Sequence, residues 1–436
     1  MSSEANHAAS GQFSEALPEV MIGRDGSYPA TVTSSIDALL IDVLRTIRSH
    51  LGMDVAFVSE FVAERRYFRY VDAGIPSTIC AGGSDPLEET YCGAIVAGKL
   101  PSLMQDAARV PFAMTFAVTT ALSIGAHISV PIPLSDGTIY GTLCCFKSAP
   151  DCTLVERDLV LVRLFAELAG KQIERQLVAR RTHDASRARI AAVIKMQSFT
   201  VVYQPIYDLV ADQVVGFESL ARFSAAPVRP PNEWFDEAAR VGLVEALEVA
   251  VIERALQGMD RLSPHGFLSL NVSPATVTSG VMARALERVA LDRMVIEITE
   301  HVSIVEYAPL LAALRPLRER GLRVAVDDAG AGYASFRHIL QLDPDIIKLD
   351  VSLTRDIDTD LTRRALTAAL IRFAQETGIM LIAEGVETEA ELAMLRQLHI
   401  VEAQGYLIGR PMAIADVIQH RMCGRAPRGA DEAPMV

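Results

Sequence analysis

Cysteine pairs at metal-knuckle spacing are missing from this 436-residue chain: its six cysteines, at 80, 92, 144, 145, 152 and 423, include no Cys-x-x-Cys. That spacing excludes a zinc ribbon and, in a chain this long, a disulfide framework. No run of 18 uncharged apolar residues occurs, so no membrane span is expected. The first 35 residues carry no basic flank followed by an apolar stretch, so no secretory leader is expected either. Basic charge is also scarce. Lys and Arg number 41 against 54 Asp and Glu, a net −13 that suits neither a nucleic-acid polymer nor an anionic membrane. What is present is a chain half apolar and 22% charged, with enough length for two or three cores. The composition reads as a cytoplasmic protein with reduced thiols.

The first 35 residues, rich in Ser, Ala, Gly and Pro, read as a mobile tail. From 36 to 178 the pattern is mixed. A helix is expected over Ile36–Ile47 and strands over Val55–Val62 and Tyr67–Val71. A hairpin follows: Ile128–Leu134, a Ser135-Asp136-Gly137 turn, then Thr138–Phe146. Alternation sends Cys144 and Cys145 to opposite faces as packing residues, and Cys92 reads as a buried structural thiol. Thr153 with Glu156 spells a capping box that opens a helix to about Arg181. Leu161, Leu164, Leu168, Ile173 and Leu177 form a broken apolar stripe along it, from which a parallel helix pair and a homodimer are expected. A basic, Ala-rich helical linker at 179–190 closes this half.

From 191 to 425 one rhythm repeats: an apolar strand, a polar residue at its end, then a helix. The polar ends are Glu218, Asn271, Glu297, Asp327-Asp328, Lys348, Glu384 and Gln404. The helix in the widest gap is expected near Trp234–Met259, and over Leu361–Thr377 Leu366, Leu370 and Phe373 share a face. About eight βα units of roughly 30 residues fill this stretch, the length of a (β/α)8 barrel, whose chemistry sits at the C-terminal strand ends. A lone carboxylate there is ordinary helix capping. Five on one rim repel one another unless cations neutralise them. Oxygen ligands without His or Cys select Mg²⁺ or Mn²⁺ over Zn²⁺. An Asp327-Asp328 pair suits a carboxylate bridging two ions about 4 Å apart, the geometry of in-line phosphoryl displacement. Lys348 is placed to hold a water, or else pairs with Asp350.

In these residues the chain resembles the EAL-domain cyclic-di-GMP phosphodiesterases. The resemblance rests on Tyr203-Gln-Pro-Ile206, Glu218-Ser-Leu220 with Arg222, Asn271, Glu297-Ile-Thr-Glu300, Asp327-Asp328, Lys348-Leu-Asp350, Glu384-Gly-Val-Glu387 and Gln404-Gly-Tyr406. It implies a TIM-like α/β barrel whose first strand runs antiparallel to the rest. It further implies a first metal on Glu218, Asn271, Glu297 and Asp327 and a second on Asp327, Asp328 and Glu384. Lys348 and Glu384 would position and activate water, Gln204 and Arg222 would contact substrate, and Gln404 the water network. Glu300 would brace the loop after Asp328, and Glu387 would stand behind the ligands. The expected reaction is metal-dependent hydrolysis of cyclic di-GMP to pGpG. The alternative is a non-hydrolysing cyclic-di-GMP receptor.

Two departures bear on this. Ser219 replaces the Ala of the name-giving tripeptide, a small-for-small change. Ala329-Gly330-Ala331-Gly332 replaces the usual Phe-Gly-Thr-Gly, so a loop holding the second ion less firmly is expected. Residues 36–178 more loosely resemble a GAF sensor domain, an α+β fold. The resemblance is carried by Leu51-Gly-Met-Asp54, Glu89-Thr-Tyr-Cys92, Val130-Pro131 and Asp136-Gly137 through Tyr140-Gly-Thr142. It implies regulation by a ligand or stimulus it does not name. Residues 426–436 read as a second tail.

Overall fold

The computed structural model describes residues 30–262, 266–298, 304, 306–330 and 334–422. The chain divides into two compact units, residues 1–182 and 183–436. No described helix is long and apolar enough to cross a membrane.

The first unit is built on six antiparallel strands: β1 Val55–Val62, β2 Arg65–Ala73, β3 Ser84–Pro86, β4 Leu103–Met104, β5 Ala126–Pro133 and β6 Ile139–Lys147. Their order across the sheet is β3-β2-β1-β6-β5-β4. The helix Ala30–His50 and the start of the helix Glu156–Met196 cover one face. There Leu44, Ile47, Val162 and Ala166 meet Val58, Ile128, Leu143 and Cys145. The other face holds Phe57, Phe68, Tyr91, Cys92 and Cys144 beneath short helices and loops. Alternation thus sends Cys144 and Cys145 into separate cores, as expected of an antiparallel sheet buried on both sides.

Two details differ from the sequence reading. The long helix starts without the capping box: Asp151 Oδ1 takes both the Thr153 amide (3.0 Å) and its hydroxyl (2.6 Å), and Asp158 caps the Val155 amide at 2.9 Å. It also continues without a break into the expected helical linker and six residues past it, to Met196, with Ile190 and Val193 buried in the core of the second unit.

The second unit is a closed eight-stranded barrel. Its strands are β7 Phe199–Asp208, β8 Gln213–Phe223, β9 Phe267–Asn271, β10 Met294–Ile298, β11 Arg323–Ala329, β12 Ile346–Leu349, β13 Met380–Ala383 and β14 Glu402–Ala403. β7 runs antiparallel to both neighbours, β8 and β14, and β8 to β14 pair parallel in sequence. The helix expected near Trp234–Met259 is two helices, Pro231–Arg240 and Val244–Met259. They part at Gly242, whose φ of +68° is left-handed and ends a helix at little cost. Along Leu361–Thr377 the buried face is Thr367, Leu370, Ile371 and Ala374; Leu366 points to solvent.

Side chains inside the barrel lie in layers. Ile206, Phe267, Val295, Ala325, Ile346 and Ile382 form a closed apolar layer. Strand side chains alternate, so the next inward position is two residues further on. On the parallel strands those positions are Ser269, Glu297, Asp327, Lys348 and Glu384. Gly216 leads likewise to Glu218, and on the reversed β7 Ile206 leads back to Gln204. An apolar floor therefore carries a polar rim.

Candidate active site

At the centre of that rim is an ammonium surrounded by carboxylates. Lys348, 1% exposed, puts Nζ 2.6 Å from Glu384 Oε1, 2.8 Å from Glu297 Oε2, 3.1 Å from Asp327 Oδ1 and 3.5 Å from Glu218 Oε2. Asp350, the alternative partner, instead caps the short helix after it, accepting from the Ser352 amide at 2.9 Å. Asp327, Asp328 and Glu384 each bring an oxygen within 4.8 Å of the others. Local backbone explains why two consecutive carboxylates share that point. The β11–β12 register shifts between Val326 and Ala329, and Asp328 takes a left-handed φ of +54°. A bulge of this kind re-aims side chains that strict alternation would separate.

The neighbours fix each acid. Asn271 Nδ2 donates to Glu218 Oε1 at 3.0 Å and Gln404 Nε2 to Glu218 Oε2 at 2.6 Å. Ser269 Oγ donates to Glu297 Oε1 at 2.6 Å. The Thr354 hydroxyl donates to the Glu384 carbonyl, anchoring the backbone beneath that side chain. Ser269 and Thr354 escaped the sequence reading. Ser269 was legible by parity, as a polar residue two before Asn271 on an otherwise apolar strand. Thr354 carries no such signal. Ser219, the departure in the tripeptide, is buried with its hydroxyl donating to the Ser269 carbonyl at 2.9 Å, so the extra polar group is satisfied.

Charge in this site is unbalanced. Lys348 is held well above the ordinary lysine range: burial opposes its charge, and Asp327, Glu218, Glu297 and Glu384 outweigh burial. Glu218 is held low, since Lys348 and the two amides overcome its burial. Burial, and then the charge of Glu218, pushes Glu297 well up. Burial, reinforced by Asp327 and Glu218 against the pull of Lys348, pushes Glu384 up to about 8. One ammonium cannot neutralise this many carboxylates. The upward shifts of Glu297 and Glu384 are those of carboxylates crowded together with too few cations among them.

The remaining expected residues spread around this centre. A cleft of about 330 Å³ opens over it, lined by Gln204, Leu220, Asp350, Glu387, Gly405 and Tyr406 besides the acids. Gln204 donates to the Gly409 carbonyl at 3.2 Å. Arg222 is exposed and donates to its neighbour's carbonyl, that of Ala221, at 2.8 Å. Glu387 pairs at the surface with Arg355 at 2.9 Å. Gln404 holds Glu218 itself. Ala329 is the last residue of β11, buried and paired with Leu349, not part of a free loop. Glu300 and Ala331 lie outside the described residues. A larger cavity of about 810 Å³ belongs to the first unit and is far poorer in convergent carboxylates.

The EAL domain model matches residues 185–411, just over half of the chain. The chain belongs to the EAL domain family. A GAF domain model matches residues 35–173, ahead of the EAL barrel. An uncharacterized signaling protein of Caulobacter vibrioides is 28% identical over 87% of this chain and 44% of its own length. The cyclic di-GMP phosphodiesterase NbdA of Pseudomonas aeruginosa is 29% identical over 55% of this chain and 32% of its own. The chain thus spans less than half the length of these curated relatives. Among solved structures, an EAL domain protein from Listeria monocytogenes superposes with a TM-score of 0.50 at 25% identity, covering 54% of this chain and 98% of that one. The cAMP- and cyclic-di-GMP-bound form of an EAL enzyme reaches a TM-score of 0.53 over 84% of this chain and 93% of its own; at 18% identity it speaks to the fold alone.

Proposed function

We propose that the barrel hydrolyses one phosphodiester bond of cyclic di-GMP, releasing the linear dinucleotide pGpG. The observation that carries this reading is the cluster of Glu218, Glu297, Asp327 and Glu384 about Lys348, with Asp328 adjoining. Membership of a family whose relatives include named cyclic di-GMP phosphodiesterases supplies the substrate.

The donor set suits two hard divalent cations, Mg²⁺ or Mn²⁺. The donors are oxygen only, Asp327, Asp328 and Glu384 bring oxygens within 4.8 Å of one another, and the acids outnumber the one ammonium among them. Glu218, Asn271, Glu297 and Asp327 would hold one ion, and Asp327, Asp328 and Glu384 the other. Bound ions would supply neutralisation of the substrate's two phosphates and a lowered pKa for water. Residues of the chain do the rest. Gln204 and Arg222 hold the dinucleotide, Arg222 by a phosphate. Lys348 and Glu384 orient the attacking water, and Glu384 takes its proton. The water oxygen bonds to phosphorus as the bond to the 3′ oxygen breaks; the 3′ oxygen takes up a proton to become a free hydroxyl, and the phosphate stays on the 5′ side. Gln404 keeps Glu218 aimed at its ion, with Glu300 and Glu387 in supporting positions.

The first unit, residues 36–178, is proposed as a GAF-type regulator, joined through 179–190 to the catalytic domain at 191–425 in a cytoplasmic homodimer. A receptor reading would need Arg222 and Gln204 but not Lys348 and Glu384 packed 2.6 Å apart. Purified protein incubated with Mg²⁺ or Mn²⁺ and cyclic di-GMP, followed by product chromatography, separates the two. Binding without pGpG at saturating Mn²⁺ selects the receptor.

A further inference from the structure

The first unit holds a second poised group, unrelated to the barrel. Cys92, in the short helix Tyr91–Val96, and Cys144, on β6, are both fully buried and unbonded, with sulfurs 3.2 Å apart. Both backbones are fixed. Thr90 caps the helix through the Gly93 amide at 3.1 Å, and Cys144 is paired between Phe57 and Ser129 in the centre of the sheet.

Their surroundings are unlike. Arg66 Nη1 donates to Cys92 Sγ at 3.1 Å, its Nη2 pairs with Asp85, and its guanidinium lies over the Phe68 ring at 4.5 Å. Cys144 Sγ meets the hydroxyls of Ser129 (2.9 Å) and Thr142 (3.1 Å). Burial alone would raise both thiols. For Cys92 the Cys144 thiol and the Arg66 charge overcome it and bring the group down to about 5. Burial, with Cys92 beside it, drives Cys144 well up. A packing cysteine has no use for a buried guanidinium, which is costly to bury and here spends one of its two forks on sulfur. Arg66 also lines the cavity of about 810 Å³, together with Phe68, Asp85, Phe112 and Phe116. Neither Cys92 nor Cys144 lines that cavity, whereas Cys80 does; Arg66 is the side chain that both faces the cavity and touches Cys92, so a small solute reaches the sulfur by passing its guanidinium.

We propose that Cys92 and Cys144 form a redox-active dithiol, oxidised to a disulfide by a hydroperoxide admitted through this cavity. The Cys92 thiolate attacks one peroxide oxygen. The O–O bond breaks, Cys92 becomes the sulfenic acid, and the other oxygen leaves as hydroxide or alkoxide and takes up a proton. Cys144 sulfur then attacks Cys92 sulfur. The S–O bond breaks, and the hydroxyl leaves with the Cys144 proton as water. Two thiols lose two electrons and the peroxide gains them. The sulfurs must close from 3.2 Å to about 2.05 Å. Oxidation removes the thiolate from Arg66 and leaves it only Asp85, so the cavity wall gains one net positive charge.

The test uses the full-length chain, reduced, desalted and treated with one equivalent of hydrogen peroxide, then denatured, alkylated with N-ethylmaleimide and digested. The expected product is a peptide linked through Cys92 and Cys144, with an intact mass lower by two hydrogens. Cys144→Ser should give no link and a Cys92 sulfenic acid captured by dimedone. Arg66→Gln should slow oxidation about tenfold or more at neutral pH, and Arg66→Lys should restore most of the rate. Recovery of Cys92 and Cys144 both alkylated while exposed Cys80 or Cys152 is oxidised overturns the proposal. So does a link from Cys92 to Cys80. Equal rates in wild type and Arg66→Gln would remove Arg66 from the account. Should a variant fail to fold, the wild-type peptide map still decides.

Discussion

Lys348 Nζ, on β12, lies 2.6 Å from Oε1 of Glu384, the residue directly after β13, although the inward side chains beneath them, Ile346 and Ile382, are apolar. The pair sits where the barrel interior changes from hydrocarbon to charge. Its acid is pushed up to about 8 and its base well above the ordinary range. Both shifts follow from crowding of buried charge, and Glu384 is itself one of the three carboxylates of the candidate ion site.

Removing the ammonium should expose the charge deficit directly. Lys348→Met leaves Glu218, Glu297, Asp327 and Glu384 without a buried cation, a loss of about 3–5 kcal/mol. Thermal unfolding in EDTA should show a clearly lower Tm than wild type, and Mn²⁺ should recover more of it in the variant than in wild type. Equal Tm values in EDTA would mean that Lys348 does not balance these acids.

Ser269 predicts a graded effect. Its hydroxyl orients Glu297 Oε1 from behind, so Ser269→Ala should raise the Mn²⁺ concentration for half-maximal activity about 10–100-fold, with little change in the KM for cyclic di-GMP. Ser219→Ala, which removes a hydrogen bond to the Ser269 backbone carbonyl and none to a carboxylate, should change both much less. A metal titration of the two variants side by side distinguishes them.

These two serines show what the sequence did and did not disclose. The barrel and the polar residues of its rim were legible, because the strand–helix rhythm and the order of the motifs survive in one dimension; the reversed first strand came only from the family resemblance, since periodicity carries no strand direction. That Lys348 reaches four acids at once was not, since it depends on closure of the barrel bringing β8, β10, β11 and β13 to one axis. The split of Trp234–Met259 at Gly242 was missed because apolar periodicity continues across the break. The helical character of 179–190 was legible too; that it forms one unbroken helix ending at Met196 was not, because Ile190 and Val193 anchor it through tertiary packing.

At the other end of the barrel, Glu402 gives a pH prediction. Burial pushes its carboxyl from 4.5 up to about 7, and Oε2 has no hydrogen bond. A carboxyl raised on folding imposes no penalty below the unfolded value and a growing one as pH climbs to the folded value. Glu402→Gln should therefore match wild type at pH 4.5 and exceed its stability by up to about 3 kcal/mol at pH 8. Urea unfolding at both pH values checks this. A larger gain at low pH would reverse the sign and refute it.

The long helix carries an exposed stripe, Val160, Leu164 and Leu168, on the side away from the core residues Leu159, Val162 and Ala166. This i, i+4, i+8 spacing suits a helix of a second copy. The full-length chain should be dimeric by light scattering at micromolar concentration, and Leu164→Glu with Leu168→Glu should be monomeric. A wild-type monomer would exclude the dimer.

The most direct test is chromatography of cyclic di-GMP after incubation with the purified chain. The account predicts pGpG with Mn²⁺, none with EDTA, and a loss of about a thousandfold or more in Glu218→Ala, Asp327→Ala and Glu384→Ala. Turnover that persists in EDTA, or in any one of these three variants, would contradict it.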